Sequence, residues 1–310
     1  MRLPLILVTC RQMQVELPRH RERIEKLGYE VVAPDLGGRQ QFTATELLEY
    51  SSRLVGMIAG DDELDSDFFD GASRLKTVIR WGIGMDSVDQ AAARSRGVTV
   101  RNTPGVFGHE VADSAFGYIL NLARGYIEVD AAVRRGEWLK VEGITLAGAR
   151  LGIVGFGSIG RAIAKRGLGF DMDVFAFDPF VTAESEDVSI VGLDELLSSA
   201  RFIVLACPLT PETFHLINAD RLASVAPDAY LVNVARGPVV EEEALVRALR
   251  SGRLAGAALD VFETEPLPPT SELRTLPNVV LGAHNGSNTR EGIVRASNAA
   301  VDFLLEELSK

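Results

Sequence analysis

Cysteine is nearly missing from this 310-residue sequence. Cys10 and Cys207 are the only two, too few for a disulfide framework, and both sit in apolar runs. That favours a reduced, cytoplasmic setting. Histidine is scarce too, with four residues. The commonest Cys/His spacings of metal sites are absent, so no metal is expected. No uncharged apolar run reaches the roughly 18 residues that a membrane-spanning helix needs. The apolar stretch at residues 3–9 is short, Arg11 closes it, and no small-residue cleavage site follows. It reads as a first strand rather than a secretion signal. Positive charge is in the minority: 32 Lys and Arg stand against 43 Asp and Glu, a net −11. A nucleic-acid partner would want a basic face, and an anionic membrane surface would repel this chain. A small anionic substrate is not excluded, because a few arginines can reverse the field inside a cleft.

What remains is a folded globular chain, 46% hydrophobic and 24% charged, long enough for about two domains. Apolar runs alternate with helical patterns almost throughout. Residues 5–9, 30–33, 54–59 and 76–80 read as strands. Residues 19–27, stopped by Gly28, and 46–50 read as helices. Residues 110–134 form a long helical stretch with a break expected at Gly125. A second series follows, with strands at 151–154, 174–177, 202–206, 230–234, 256–259 and 279–281. Its helices include 159–168 and 241–249, and a final helix covers 289–308. This rhythm predicts an α/β protein with parallel sheets covered on both faces.

One turn stands out. Leu151-Gly-Ile-Val-Gly155-Phe-Gly157-Ser-Ile-Gly160 holds G-x-G-x-x-G after a strand and before a helix, the context that a dinucleotide-binding turn requires. Gly155 permits the tight turn. Gly157 lets the backbone approach a pyrophosphate. Gly160 lets helix and strand pack closely. The amides near Ser158 and Ile159 would face the phosphates. Asp178 ends the next strand, 18 positions after Gly160. A carboxylate there accepts from both ribose hydroxyls and repels a 2′-phosphate, so NAD is the expected cofactor rather than NADP.

Three ionisable residues follow later strands: Arg236, Glu265 and His284. Ligands of doubly wound sheets bind at such strand ends. The residue types suit one chemistry. A planar guanidinium holds a 2-oxo acid by carboxylate and carbonyl. An imidazolium supplies the proton for the developing alkoxide. A neighbouring carboxylate favours that imidazolium and fixes the ring.

With these residues in place, the sequence resembles the D-isomer-specific 2-hydroxyacid dehydrogenases, which include D-3-phosphoglycerate dehydrogenase, glyoxylate/hydroxypyruvate reductase and formate dehydrogenase. The carriers are Gly82-Ile-Gly-Met-Asp86, Asn102-Thr-Pro-Gly105, the glycine turn, Cys207-Pro-Leu-Thr210, Asn233-Val-Ala-Arg-Gly237, Ala258-Leu-Asp-Val-Phe262 with Glu265-Pro266, and Pro277-Asn278 leading to His284. They span nearly the whole chain. The resemblance implies two Rossmann-like doubly wound parallel-sheet domains with the active site in the cleft between them. A discontinuous substrate domain covers 1–100 and 287–310. An NAD domain covers 101–286, with a dimerisation arm at about 105–148, so a homodimer is expected.

The resemblance also implies site residues. Arg236, Glu265 and His284 match the catalytic Arg, Glu and His. Gly155, Gly157, Ser158, Ile159, Gly160, Asp178, Cys207, Pro208, Thr213, Val234, Ala235, Arg236, Asp260, His284 and Gly286 fall at cofactor positions. Asp260 matches the acid that contacts the nicotinamide amide. Arg80, Trp81, Ile83 and Gly84, with Arg236 and His284, fall at substrate positions. Arg80 matches a basic position that faces the phosphate in phosphoglycerate dehydrogenases. This points to an NAD-dependent oxidoreductase acting at C2 of a D-2-hydroxy or 2-oxo acid. D-3-phosphoglycerate is the first candidate, and hydroxypyruvate or glyoxylate the alternative. The likeness extends to the C-terminal-binding-protein corepressors, for which NAD binding serves partner recruitment. The chain ends after its final helix, so serine feedback through a regulatory extension is not expected. Ala206, Asn285, Gly286, Ser287, Phe107 and Ser87 depart from the common pattern, and none removes a triad residue.

Overall fold

A computed structural model describes residues 3–181 and 187–310. The chain divides into two compact units, Met1–Phe107 with Asn288–Lys310, and Gly108–Ser287. The first holds five parallel strands: β1 (Leu5–Val8), β2 (Glu30–Val32), β3 (Leu54–Ala59), β4 (Thr77–Arg80) and β5 (Thr99–Asn102). Their order is β2-β1-β3-β4-β5. Every residue of β1 and β3 is buried, as unbroken apolar runs demand of strands covered on both faces. The order is flavodoxin-like, so only the second sheet carries the dinucleotide-binding order. The boundary expected at residue 100 falls inside β5. Pairing of Thr77 with Thr99 and of Arg80 with Asn102 keeps the chain in this sheet, and the unit runs on to Phe107.

The helix expected at 19–27 is longer, Arg11–Glu25, and contains Pro18. An internal proline costs a helix about 3 kcal/mol. Here Met13, Leu17, His20 and Ile24 share one buried face. At roughly 1.5–3 kcal/mol per buried apolar side chain, that face offsets the proline. The C-terminal helix Arg290–Leu308 packs on β3 and β4 through a face that includes Ala296, Ala300, Val301 and Leu304.

His20 lies among these packed helices, and burial lowers its pKa from the ordinary 6.5. Arg23 and Arg19 push the same way, while Glu16 and Asp302 oppose them. The folded state therefore prefers the neutral ring. Below the ordinary value the unfolded chain takes up the proton first, so this contribution to stability is present above that pH and is lost as pH falls. Urea midpoints at about pH 7.5 and about pH 5.5 should differ less in His20→Gln than in the parent. Equal differences in the two proteins would contradict the assignment.

The second unit holds seven parallel strands. They are β6 (Arg150–Val154), β7 (Asp173–Phe177), β8 (Ser189–Ile190), β9 (Phe202–Leu205), β10 (Tyr230–Asn233), β11 (Gly256–Leu259) and β12 (Val279–Leu281). The order β12-β11-β10-β9-β6-β7-β8 reverses direction between β6 and β9. That crevice is where doubly wound sheets bind ligands. The long helical stretch is two helices, Gly108–Arg124 and Tyr126–Arg134. They part at Gly125, whose φ of +63° suits glycine. The Asn121 side chain accepts from the Ile127 amide across the break, at 2.9 Å.

Candidate active site

The glycine turn follows β6 and opens the helix Ser158–Gly169. Gly155 has φ +94°, and a Cβ there would lie 2.6 Å from the Cys207 amide nitrogen. A Cβ on Gly160 would lie 2.1 Å from the Gly155 carbonyl oxygen. Both positions therefore admit only glycine, for conformation at the first and for space at both. Gly157 differs, because a Cβ there would meet no heavy atom within 4 Å. Space above it is open, and no side chain caps the helix that begins at Ser158. Open backbone and uncapped amides are what a pyrophosphate needs. Asp178 follows β7 and accepts from the Phe156 amide at 2.8 Å and the Phe180 amide at 2.9 Å. It is thus fixed beside the turn. These residues fit a dinucleotide.

The loop after β9 carries Cys207 and Pro208. Burial pushes the Cys207 thiol up to about 11, so it is not a ready nucleophile. The Thr213 hydroxyl donates to the Pro208 carbonyl at 2.7 Å and accepts from the Thr210 amide at 2.7 Å. Its side chain is engaged in closing its own loop.

Arg236, Glu265 and His284 all belong to the second unit. Val234 and Ala235 are buried between β10 and Arg236. Asn233 accepts from the Ala235 amide and donates to the Arg236 carbonyl, at 3.0 and 2.9 Å, which sets the turn that presents the arginine. A Cβ on Gly237 would lie 1.9 Å from the Phe262 carbonyl. That contact seats the arginine turn on the segment leading to Glu265. One Glu265 oxygen accepts from the Phe262 amide at 3.0 Å, and the other lies 2.7 Å from His284 Nδ1. A carboxylate at Nδ1 directs the other ring nitrogen to proton transfer.

Asp260, at the end of β11, is buried. It accepts from the Tyr118 hydroxyl at 2.8 Å, the Asn285 amide at 3.1 Å and the Gly286 amide at 2.8 Å. Burial and the Asp260 charge raise the Tyr118 pKa. The His284 amide donates to the Asp260 carbonyl at 2.6 Å. This aspartate therefore holds the turn that carries the histidine in a left-handed backbone, φ +50°. Sequence reasoning missed Tyr118, and it named Asn233 only as the start of the motif Asn233-Val-Ala-Arg-Gly237, with no role of its own.

The expected substrate residues Arg80, Trp81, Ile83 and Gly84 lie in the first unit. The Arg80 side chain is only 6% exposed. Its guanidinium is ion-paired to Asp61 and donates to the Trp81 carbonyl, so that the fork is already engaged. Trp81 is buried, with Nε1 donating to Ser297 Oγ at 3.1 Å and the ring against Phe107. It fills the interior of its unit. The Ile83 carbonyl accepts from Asn102 at 2.7 Å, and Gly82 is bonded to Thr103, which anchors the loop 82–84.

Residues 116–286 match the family model described as D-isomer specific 2-hydroxyacid dehydrogenase, NAD binding domain. The chain belongs to this family. A glyoxylate reductase of Thermococcus onnurineus is 45% identical over 255 residues, covering 77% of this chain and 75% of the relative. A D-3-phosphoglycerate dehydrogenase of Methanocaldococcus jannaschii is 37% identical over 303 residues, covering 94% of this chain and 56% of that one. Among solved structures, an NAD-dependent formate dehydrogenase from Staphylococcus aureus, in complex with NAD, superposes with a TM-score of 0.87 at 27% identity, covering 99% of this chain and 96% of that one. The chain is thus an NAD-dependent D-2-hydroxyacid dehydrogenase, and Gly108–Ser287 contains its NAD domain. None of its described helices is long and apolar enough to cross a membrane. Among the described residues no cluster could hold a metal ion.

Proposed function

We propose that this dehydrogenase reduces a small, unphosphorylated 2-oxo acid of the glyoxylate or hydroxypyruvate type. The observation that carries this reading is the Arg80–Asp61 ion pair. The cation suited to a substrate phosphate is already neutralised and buried. A phosphorylated substrate would have to displace Asp61 and then face that carboxylate. The likeness to a glyoxylate reductase supports the same choice.

The geometry of the second unit supports the following roles. Arg236 binds the carboxylate of the oxo acid and steadies its carbonyl oxygen. His284, as imidazolium, gives a proton to that oxygen through Nε2. Glu265 holds the ring by Nδ1 and stabilises its charge. Asp260, through Tyr118 and the 285–286 amides, is a positioning residue for the histidine turn. The glycine turn and Asp178 hold the dinucleotide, whose chemistry when bound is hydride delivery to C2. Tyr126, Ile127, Val133 and Trp138 are exposed apolar residues within 108–148, which supports a homodimer through that arm. The setting is cytoplasmic.

The test is NADH oxidation by the purified protein with glyoxylate, hydroxypyruvate, pyruvate, oxaloacetate and 2-oxoglutarate, together with NAD reduction on D-3-phosphoglycerate. Glyoxylate or hydroxypyruvate should exceed phosphoglycerate in kcat/KM by at least ~10-fold, the lower end of what a single pocket contact discriminates. A preference for phosphoglycerate would overturn the reading. Tight NADH binding with no turnover on any acid would favour a recruitment protein instead.

A further inference from the structure

The second unit holds another histidine–glutamate pair. His215 Nε2 lies 2.8 Å from Glu263 Oε1. Glu263 stands two positions before Glu265, so one short segment supplies the carboxylate partner of both histidines. His215 also has a left-handed backbone, φ +49°, a conformation that non-glycine residues keep only where surrounding contacts impose it. Two contacts do so. The His215 amide donates to the Pro238 carbonyl at 2.8 Å, and Phe214 stacks on the imidazole with centroids 4.0 Å apart. Glu263 is held in turn. Its Oε1 accepts from the Glu242 amide at 3.2 Å, and its own amide donates to Glu242 Oε2 at 3.4 Å.

Pro238 lies two residues beyond Arg236. His215 therefore grips the arginine turn by its backbone and the Glu265 segment by its ring. Between these grips, Gly237 meets the Phe262–Glu263 backbone with no room for a Cβ. Such a contact resists closer approach, but it does not resist sliding. The side-chain bond does. The pair is about one-third exposed on each side, and exposed pairs add little to global stability. Its place in the fold suits alignment better than stabilisation.

We propose that His215 and Glu263 form a positioning pair that fixes the register of the Arg236 turn against the Glu265 segment. This rests on the roles assigned above to Arg236 and Glu265. It accordingly predicts that removing either partner slows the chemical step without weakening nucleotide binding.

The experiment begins with NADH oxidation by the parent protein on glyoxylate and hydroxypyruvate. Failure there strikes the functional reading, and the positioning proposal falls with it. With an active parent, His215→Ala and Glu263→Ala should each lower kcat/KM for the oxo acid by roughly 10-fold, as small misplacements of reacting groups do. NADH affinity from fluorescence titration and the melting temperature should stay near the parent's. The double variant should be no worse than the worse single one. His215→Gln, whose amide can still donate to Glu263, should recover most of the rate. Should His215→Ala fail to fold, Glu263→Ala is read by the same criteria, because it leaves the His215 backbone contacts in place. Unchanged kinetics in the alanine variants would overturn the proposal. So would losses that follow the melting temperature and are not rescued by glutamine.

Discussion

Replacing His284 by alanine is expected to lower turnover by at least about 100-fold, the usual worth of a positioned general acid. The expectation rests on geometry. Nδ1 is 2.7 Å from Glu265, and the turn around the residue is held by Asp260 through the 285 and 286 amides. The ring is thus oriented from one side and its backbone from the other. Alanine tests the side chain but also disfavours the left-handed φ of +50°. Asparagine tolerates that backbone and cannot serve as an acid near neutral pH. His284→Asn should therefore lose turnover to a similar degree while keeping the turn and the parent's melting temperature. Stopped-flow measurement of NADH oxidation under single-turnover conditions reads the chemical step directly. Near-normal rates in either variant would remove His284 from the mechanism.

The second large effect is expected at a residue with no side chain. A Cβ at Gly237 would fall 1.9 Å from the Phe262 carbonyl carbon and oxygen and 2.4 Å from the Glu263 nitrogen. All of these are backbone atoms, so no rotamer change relieves the overlap. Gly237→Ala must push apart the turn that carries Arg236 and the segment that carries Glu265. Overpacking of this kind costs about 1–3 kcal/mol. Misplacing two reacting groups should also lower turnover by about 100-fold. Gly157→Ala is the matched control. A methyl group there meets nothing in the protein, so stability should hold while NADH binding weakens. Thermal melts with NADH titrations separate the two cases. A Gly237→Ala protein with the parent's melting temperature and turnover would contradict the steric argument.

Much of this was legible in the sequence, for a physical reason. Buried parallel strands are apolar runs, and Leu54–Ala59 and Gly256–Leu259 read directly as such. The glycine turn and the strand-end residues Arg236 and His284 are equally local signals. The helix Arg11–Glu25 was cut short because proline propensity is local, whereas the packing of Met13 and Leu17 is not. The short helices Ser66–Gly71 and Gln90–Ser95 offer too few turns for a periodic pattern. Only their caps, Asp65 and Asp89, mark them. The side-chain pairs were out of reach for another reason. Arg80 meets Asp61 across 19 positions, His215 meets Glu263 across 48, and Tyr118 meets Asp260 across 142. Such partners are chosen by the sheet order, which no local pattern states.

The latch at Asp260 has a consequence for how this protein can be taken apart. Tyr118, in the helix that opens the Gly108–Ser287 unit, donates to the carboxylate that also holds the amides of Asn285 and Gly286 at its close. Ser114 adds a bond to the Gly286 carbonyl at 3.2 Å. The unit's opening helix and its closing residues therefore meet at Asp260. A segment with adjacent ends is suited to excision and to circular permutation. Once excised, its two ends can be joined by a short linker, and new ones opened in an exposed loop elsewhere. The nucleotide-binding half of this dehydrogenase is in that sense a removable cartridge.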